Sequence, residues 1–372
     1  MSLCMTCSIK EHRRSYEIEI LRNALRSPQL FEVAFSQIGH RCVILTDTRV
    51  GPLYGEPMAQ WLRSSSREAF LVTIPAGEQS KTRAVKEQIE DQLFRQGCGR
   101  DTALLVLGGG MVTDMGGFVA ATYCRGIPLF LVPTTLLGMV DAAIGGKNGV
   151  DVPWGKNLIG TIYQPTKVVL DPSVLSTLPD VEFRNGIAEM IKHGAVADEK
   201  YFDFLAANVG RMRDEEILER AIAESCRIKM AIVEDDERER DKRHLLNFGH
   251  TIGHAVEFLS NYRLSHGEAI AIGMVGEGYM SNQLQRLSTK DLGRLFDLLR
   301  AYGLPFSLPE KLIPEKVIEA MIHDKKTVSQ RPRFVLLSRI GDGELQEVDE
   351  SLIRKTIEWI NDVVCRHSGA DH

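Results

Sequence analysis

Short apolar runs rich in β-branched residues alternate with stretches of helical periodicity along the first half of the chain. A helix is predicted from about Lys81 to Gln96, after the second of these runs. Strands that alternate with helices form a mostly parallel sheet covered on both faces, so this half predicts an α/β domain. The strand candidates are residues 42–47, 69–77, 102–110, 128–134 and 166–172.

From about residue 180 the pattern changes to helical periodicity. The exception is residues 333–348, where a Gly-Asp-Gly turn between two strand-like runs predicts a β-hairpin. The chain therefore predicts an α/β domain over residues 1–179, followed by a mostly α-helical domain over residues 180–372. The helical stretches are residues 181–197, 215–240, 250–261, 267–287 and 288–303.

The composition is that of a folded globular protein, since 44% of the 372 residues are hydrophobic and 26% are charged. A net charge of -5 argues against nucleic acid or an anionic membrane as the main partner, so an anionic ligand needs a local cluster of cations. Seven cysteines and the lack of a signal or membrane-span sequence predict a cytoplasmic, reducing location. Cys4 and Cys7 have no second pair at zinc-finger spacing, so we assign them no role.

Two glycine-containing turns follow predicted strands. The turn "LVLGGGMVTDMGG" opens a helix, where glycine backbone and the helix N-terminus suit a phosphate, and Asp114 is placed to bond a ribose or ring group. The alternative is that the glycines serve only tight helix–sheet packing. The second turn, "PAGEQSKT", follows the preceding predicted strand, and we expect the two strand ends to be adjacent. Ligands collect at the carboxyl ends of such strands, which favours a dinucleotide.

Residues 133–160 are short of charge except for a few candidate ligand contacts. Lys147 follows two glycines, a backbone that can present an amine to an oxyanion, and Lys156 with Asn157 comes shortly after. Asp141 precedes the glycines. The alternative for each lysine is a solvated loop residue. Together the two lysines favour an anion site.

Three histidines within seventeen residues indicate a metal site. His250 and His254 share a helix face because positions four apart stack, and His266 precedes a helix start. Glu189, in an apolar helical stretch, offers a carboxylate to complete a three-ligand site of the catalytic zinc type. The alternatives are a satisfied histidine pair and a helical Glu189–Lys192 ion pair.

More cations surround this region of the sequence. The run 235–247 is first of all a charged surface, but it leads Arg243 and Asn247 directly into the histidine helix. Lys229 and the pair Lys325 and Lys326 are further cations that could reach a cleft.

In combination, these motifs resemble the 3-dehydroquinate synthase family over roughly residues 42 to 340. The resemblance implies an NAD- and divalent-metal-dependent carbon–oxygen lyase of the shikimate pathway, in aromatic amino acid biosynthesis. Such an enzyme converts 3-deoxy-D-arabino-heptulosonate 7-phosphate to 3-dehydroquinate and phosphate by transient oxidation, phosphate elimination, reduction and aldol closure. The motifs are "AGEQSKT", "GGGMVTDMGGFVAATYCRG", "PTTLLGMVDAAIGGKNGVD", "GKNLIGTIYQPTKVVLDP", "LPDVEFRNGIAEMIKHG", "DDERERDKRHLLNFGHTIGHAVE" and "LSHGEAIAIGM".

The resemblance also implies residue roles. It makes Glu189, His250 and His266 the ligands of one zinc or cobalt ion, and it makes His254 a catalytic residue instead of a ligand. It implies a homodimer with Arg125 near the subunit contact. The other implied catalytic residues are Lys147, Lys192, Glu239, Arg243 and Asn247, and the substrate contacts are Arg125, Asp141, Asn157, Lys229 and Lys326, with Lys325 as the alternative to Lys326. The implied NAD contacts are Ala76, Gly77, Glu78, Gln79, Ser80, Lys81, Gly110, Met111, Val112, Thr113, Asp114, Thr134, Thr135, Lys147, Lys156, Val174, Leu175, Ser176 and Thr177.

This chain departs from the family pattern at several positions. Ala142 and Ala143 replace a common Ser-Ser, and Asn148 follows Lys147 where threonine is common, which removes hydroxyls close to the phosphate or cofactor. Arg49 and Ala76 are further departures, the latter where aspartate is frequent.

Three other functions compete with this interpretation. A related sugar-phosphate cyclase could act on sedoheptulose 7-phosphate, although the "GGKNG" and "GKNLIGTIYQP" motifs and the cations Lys229 and Arg243 favour the acid substrate. A metal-dependent polyol dehydrogenase would share the domain plan but release NADH. A catalytically silent homologue is disfavoured because every ligand-type residue stands in its motif.

Overall fold

A computed structural model describes residues 3–9, 14–261, 263–304, 311–324 and 332–367. The chain divides into two compact units, Met1–Pro179 and Asp180–His372. Within the described ranges, no helix is both long and apolar enough to cross a membrane.

The first unit is built on a mostly parallel sheet, which confirms the predicted fold class. In the described part of the chain seven strands form this sheet in the order β1-β2-β9-β6-β5-β3-β4, and only β1 runs antiparallel to its neighbour. The strands are β1 (Leu3–Ile9), β2 (Arg14–Ile20), β3 (Arg41–Asp47), β4 (Glu68–Ile74), β5 (Ala103–Gly108), β6 (Leu129–Pro133), β7 (Lys147–Val152), β8 (Gly155–Ile162) and β9 (Lys167–Leu170), and the helices are α1 (Pro28–Ala34), α2 (Glu56–Ser64), α3 (Arg83–Arg95) and α4 (Gly110–Thr122).

The five predicted strands correspond to β3, β4, β5, β6 and β9. Every described residue of β5, β6 and β9 is buried, as expected for strands covered on both faces. Helix α3 begins at Arg83 because the Thr82 side chain accepts a hydrogen bond from the backbone N–H of Val85, which is N-terminal capping. The periodicity therefore predicted the central strands and this helix to within a few residues.

Several elements of the first unit were not predicted, namely β1, β2, β7, β8, α1 and α2. Strand β2 buries Tyr16, Ile18 and Ile20 on one face and leaves charged residues on the other. Strands β7 and β8 form a separate antiparallel hairpin. Its glycines and lysines look like loop residues in sequence, but Gly160 is needed for pairing, since a Cβ there would lie 2.0 Å from the Asn148 carbonyl oxygen.

The second unit is mostly helical, as predicted. All five predicted stretches form helices, and residues 333–348 form the predicted antiparallel hairpin. The helices are α5 (Asp180–Ala197), α6 (Glu199–Ala207), α7 (Glu215–Asp235), α8 (His250–Leu259), α9 (His266–Gln283), α10 (Thr289–Ala301), α11 (Pro314–Asp324) and α12 (Glu350–His367), and the strands are β10 (Arg333–Arg339) and β11 (Asp342–Glu347).

Helix α7 ends at Asp235, five residues before the predicted end. The Asp236 carboxylate accepts hydrogen bonds from the backbone N–H groups of Arg240, Asp241 and Arg243. Aspartate bonds of this kind compete with the helical pattern and favour a loop. The charged run is therefore an ordered loop, which leads into a 3₁₀ helix at Lys242–Asn247.

Helices α8 and α9 pack antiparallel, with their backbones in close contact. A Cβ on Gly273 of α9 would lie only 1.8 Å from the Gly249 carbonyl oxygen, just before α8. A Cβ on Gly253 of α8 would lie 2.9 Å from the Ala269 carbonyl oxygen. Only glycine allows this separation, and it brings the histidines of the two helices near each other.

We predict that Gly273→Ala lowers the free energy of unfolding by about 1–3 kcal/mol, because the added methyl group forces the two backbones apart. Gly293→Ala in α10 is the matched control. A Cβ at Gly293 meets nothing within 4 Å, so this variant should gain about 0.5–1 kcal/mol from helix propensity. Thermal and urea unfolding of both variants would test this. Equal stability of the two variants would contradict it.

Candidate active site

The predicted cofactor segments lie at the carboxyl ends of four parallel strands. Residues 76–81 follow β4, residues 110–114 follow β5, residues 134–135 follow β6, and residues 174–177 follow β9. The structure therefore brings these separate segments to one edge of the sheet, where ligands of α/β proteins bind. One expectation was wrong: β4 and β5 are not adjacent, because β3 lies between them.

The glycines at the start of α4 serve packing and also leave its N-terminus open. A Cβ on Gly108 would lie 2.7 Å from Val112, and one on Gly116 would lie 2.4 Å from Val106, so both positions need glycine for helix–sheet contact. Gly109 caps the helix without a side chain. Its first N–H groups therefore have no side-chain cap, an arrangement that suits the pyrophosphate of a dinucleotide.

Lys81 joins three of the predicted segments. Its side chain is buried, and its Nζ atom donates to Asp114 Oδ2 and Asn157 Oδ1, both at 2.5 Å. Burial by itself lowers the pKa of Lys81, but the Asp114 and Glu78 carboxylates outweigh this effect and raise the pKa above its usual value. Asp114, predicted to bond a ribose or ring group, is thus already bonded to Lys81. This network was not predicted from the sequence.

Other predicted site residues lie in strained or hairpin backbone. Arg125 and its neighbour Cys124 both have positive φ, at 67° and 49°, which costs ~1–2 kcal/mol for each non-glycine residue. Asn157 also has a positive φ, and its N–H donates to Asp151 Oδ1. Strain of this kind clusters at functional sites. Lys147 and Lys156 lie on the β7–β8 hairpin, and Asp141 lies in a π-helical turn, Gly138–Ala142.

The departure at Asn148 has a structural role. Its side-chain amide donates to the carbonyl oxygens of Gly146 and Tyr163. It also lies against α4 at Gly117, where a Cβ would come within 1.7 Å of its Oδ1 atom. The Asn148 side chain therefore fixes the β7–β8 hairpin to α4, the helix that follows the glycine-rich turn after β5.

The candidate metal ligands converge within the second unit. Glu189 of α5 is fully buried, and its Oε1 atom lies 3.0 Å from His266 Nε2 of α9 and 3.3 Å from His250 Nε2 of α8. One ligand atom from each residue lies within 4.8 Å of the other two. Three side chains separated by up to 77 positions thus meet at one point.

The charges at this point are strongly coupled. Burial alone raises the pKa of Glu189, but Lys192, His250 and His266 together hold it well below its usual range. Burial lowers the pKa of His250 to about 4, although Glu189 opposes this effect. Burial also lowers the pKa of His266, but bonds to Glu189 and Glu257 outweigh it and raise the pKa to about 9.

The geometry of His250 fits a divalent metal. Its Nδ1 lies 3.2 Å from the Phe248 carbonyl oxygen, an acceptor that suits the tautomer with the proton on Nδ1. The lone pair of Nε2 then faces the Glu189 carboxylate, and two acceptors in contact call for a cation between them. Two imidazoles and one carboxylate form the donor set of several catalytic zinc sites, with a fourth position left for substrate.

Glu257 lies beside this cluster and was not among the predicted site residues. It is buried on α8, and its Oε2 atom lies 3.9 Å from Nδ1 of His266. A carboxylate behind a ligating histidine fixes the ring orientation and raises its basicity. The spacing carried a signal, because Glu257 follows His250 by seven positions and His254 by three, which places it on the same helix face.

His254 lies in the same cluster but contacts it differently. Its ring centroid is 5.2 Å from that of His250 and 6.3 Å from that of His266. The possible ligand atoms that lie together with that of His254 are those of Glu257 and His266, and this group does not include Glu189. The assignment of His254 as a catalytic residue instead of a ligand therefore stays a prediction, as does the ligand set itself.

The remaining predicted residues of the second unit that the structure describes are buried or hydrogen-bonded. Lys192, which is buried, contacts Glu189 Oε2, so the predicted helical ion pair and the candidate metal site coexist. Lys229 on α7 is also buried. Arg243 donates from Nη1 to the Glu237 carbonyl oxygen, and Asn247 donates to Glu239 Oε1 at 3.0 Å. Lys325 and Lys326 lie outside the described residues.

Comparison with solved structures defines the class first. The chain has the fold of sugar-phosphate cyclases. It superimposes with a TM-score of 0.87 and 25% identity on 2-deoxy-scyllo-inosose synthase complexed with carbaglucose-6-phosphate, NAD⁺ and Co²⁺, covering 95% of this chain and 99% of that one. The same TM-score and 28% identity relate it to 2-epi-5-epi-valiolone synthase from Streptomyces hygroscopicus subsp. jinggangensis with NAD⁺ and Zn²⁺ bound, covering 94% of this chain and 98% of that one.

Sequence comparison then identifies the family. The models for the 3-dehydroquinate synthase N-terminal and C-terminal regions match residues 71–185 and 186–327. A 3-dehydroquinate synthase from Desulforamulus reducens is 40% identical over 343 residues, which is 91% of this chain and 95% of the relative. The chain belongs to the 3-dehydroquinate synthase family.

We predict that His250→Ala abolishes stoichiometric binding of zinc or cobalt, because it removes one of three converging donors. His254→Ala should retain the metal and lose catalytic rate. Metal content after gel filtration, measured by mass spectrometry of the elements, and turnover of both variants would test this. Full metal content in both variants would make the ligand assignment wrong.

We also predict that metal binding at pH 7 releases about one proton. In the metal-free protein His266, with a pKa of about 9, holds a proton that the metal must displace, whereas His250, with a pKa of about 4, is already neutral. The apparent metal affinity should therefore rise about tenfold per pH unit between pH 6 and 8. Titration calorimetry in buffers of different ionisation enthalpy measures the proton count, and a count near zero would contradict the charged state of His266.

Proposed function

We propose that this protein is a 3-dehydroquinate synthase, which converts 3-deoxy-D-arabino-heptulosonate 7-phosphate to 3-dehydroquinate and phosphate. One observation carries the proposal: Glu189, His250 and His266 converge in a chain that is 40% identical to a 3-dehydroquinate synthase over 91% of its length. Further relatives of the same description, from Nitrosospira multiformis and others, support the same activity.

The two units have separate roles in this proposal. Residues 1–179 bind NAD, supported by the four segments at the carboxyl edge of the sheet and the open N-terminus of α4. Residues 180–372 bind the metal and the substrate, supported by the buried carboxylate and the two imidazoles. When bound, NAD takes up and returns a hydride, and zinc or cobalt polarises a substrate oxygen.

The side chains of the chain bind and orient the substrate. The substrate carries a carboxylate and a phosphate, and a protein of net charge -5 must bind both with local cations. Arg243 offers a planar guanidinium that can bind an anion through two parallel bonds, and Lys229 and Lys192 offer point charges. Holding both ends of the substrate makes phosphate departure and ring closure positioned, intramolecular steps.

Proton transfer falls to His254 in this proposal. It lies beside the two candidate ligand histidines, and an imidazole can accept a proton from a substrate hydroxyl and return that proton from its imidazolium form. Glu239 positions Asn247 through the 3.0 Å bond and thereby aligns an amide with the substrate. The roles of Lys147, Arg125, Asp141 and Asn157 in substrate binding stay predictions.

Among the alternatives, the acid substrate is best supported. The solved cyclases with other sugar phosphates in their names are 25% and 28% identical, whereas the 3-dehydroquinate synthases reach 40–44%. A polyol dehydrogenase has no need for the buried cations Lys229 and Arg243, since its substrate has no anionic groups. A catalytically silent homologue is disfavoured because Glu189, His250 and His266 converge as a metal site requires.

We also propose a cytoplasmic homodimer. Trp154, Leu158 and Ile162 on the β7–β8 hairpin are exposed by 73%, 41% and 41%, which is costly for a surface that stays in water. A partner subunit would cover them, near the strained loop of Arg125. Cys4, Cys42, Cys98, Cys124 and Cys226 are free thiols, as in a reducing compartment.

One assay tests the activity directly. The purified protein, with NAD and either zinc or cobalt, is incubated with the heptulosonate phosphate, and both free phosphate and bulk NADH are measured. We expect phosphate release without accumulation of NADH, because the hydride returns to the substrate in each turnover. NADH without phosphate would instead support a dehydrogenase. Sedoheptulose 7-phosphate as a parallel substrate distinguishes the related cyclase.

A further inference from the structure

A two-residue turn connects the predicted substrate-binding and metal-binding segments of the second unit. The 3₁₀ helix Lys242–Asn247 carries Arg243 and Asn247, and α8 begins with His250. Only Phe248 and Gly249 lie between them, and Gly249 has a φ of 79°. The direction of His250 therefore depends on how this turn is held.

The turn is fixed by a buried carboxylate that none of the roles above includes. Glu277 of α9 has no exposed surface, and its Oε2 atom accepts a hydrogen bond from the Gly249 N–H at 3.0 Å. One helical turn earlier, Gly273 lets the Gly249 carbonyl oxygen approach α9. Both ends of Gly249 are thus held against the same helix.

The same peptide unit connects Glu277 to the candidate metal ligand. The N–H that Glu277 accepts belongs to the Phe248–Gly249 peptide, and the carbonyl oxygen of that peptide lies 3.2 Å from His250 Nδ1. A peptide unit is planar, with its N–H and C=O pointing in opposite directions. A carboxylate that fixes the N–H therefore also fixes the carbonyl that orients the imidazole.

We propose that Glu277 is a positioning residue for His250, acting through the Phe248–Gly249 peptide. Its carboxylate orients the peptide, the peptide carbonyl keeps the His250 proton on Nδ1, and Nε2 is left to face Glu189. Partners behind a ligating histidine are ordinarily side chains or carbonyls in direct contact with the ring. Here the carboxyl group of Glu277 acts one peptide further away. The inference rests on the proposed metal site.

The test compares three variants by their affinity for Co²⁺ in the absence of substrate. Glu277→Leu removes the acceptor at similar volume, and Glu277→Gln keeps an oxygen acceptor. Ser281→Ala is the matched control. Ser281 is buried one turn further along α9 and accepts a hydrogen bond from the backbone N–H of Leu337 in β10. Among the described residues β10 carries no predicted site residue, so loss of this bond should leave the metal site unchanged. Competition with a chromophoric chelator gives the affinity, and the visible Co²⁺ spectrum reports the ligand geometry.

We expect Glu277→Leu to weaken Co²⁺ binding on the order of 10–100-fold and to shift the spectrum, as for loss of other partners behind a metal ligand. Glu277→Gln and Ser281→Ala should stay within about threefold of the parent protein, a small fraction of that loss. The inference is overturned by an unchanged affinity of Glu277→Leu, by an equal loss in Ser281→Ala, or by a Glu277→Gln variant as weak as Glu277→Leu. If Glu277→Leu does not fold, Glu277→Asp replaces it, with the carboxylate withdrawn by one methylene and an intermediate loss expected.

The outcome is separable from that of the proposed activity. A parent protein that binds Co²⁺ but releases no phosphate would overturn the activity and leave the inference testable by the same affinities. A parent protein that releases phosphate while Glu277→Leu keeps full affinity would overturn the inference alone.

Discussion

The second unit depends on one fully buried carboxylate, that of Glu189. An ionised carboxylate without water costs several kcal/mol unless charges and hydrogen bonds compensate it. Lys192 on the same helix and the imidazoles of His250 and His266 supply this compensation from three directions. Helices α5, α8 and α9 must therefore come together around this group. The same concentration of donors that removes the electrostatic cost creates a site for a divalent cation.

Close backbone packing makes that convergence possible. Metal sites need their ligands placed within about half an ångström, which flexible side chains alone do not provide. Glycines at positions 249, 253 and 273 let α8 and α9 approach until their backbones touch. Glu277 and Glu257 then hold the two histidines from behind, one through a peptide and one directly. The site is thus specified as much by small residues and buried acids as by the ligands.

The first unit solves a different problem, which is to gather short segments along one edge of a sheet. Parallel strands all end at the same side, so turns far apart in sequence become neighbours there. Lys81 connects the segment after β4 to α4 and to the β7–β8 hairpin, and Asn148 anchors that hairpin on α4. These polar contacts fix the relative positions of residues whose proximity cannot be predicted from hydrophobic periodicity.

The sequence by itself determined the α/β and helical character of the two halves. Apolar periodicity is a local property of the chain, so it can be recognised before any tertiary contact is known. It also determined the family, through motifs whose joint order is specific. It pointed to Glu189, His250 and His266 as residue types suited to a metal. The alternation of Tyr16, Ile18 and Ile20 with polar residues in β2 is a strand signal that was overlooked. The β7–β8 hairpin was not predicted because its glycines resemble a loop.

Only the tertiary structure decided which groups meet. The order β9-β6-β5-β3-β4 separates two strands that sequence reasoning placed side by side, since crossover connections are not encoded in local pattern. Asp114 faces Lys81, and Glu277 reaches the peptide before His250, 28 positions away. Helix packing determines which groups become partners, because these contacts form only when the positions of both groups are correct to less than an ångström. Unlike Glu189, which has the three histidines as a companion signal in the sequence, Glu277 therefore shows its partner only when the opposing backbone is known.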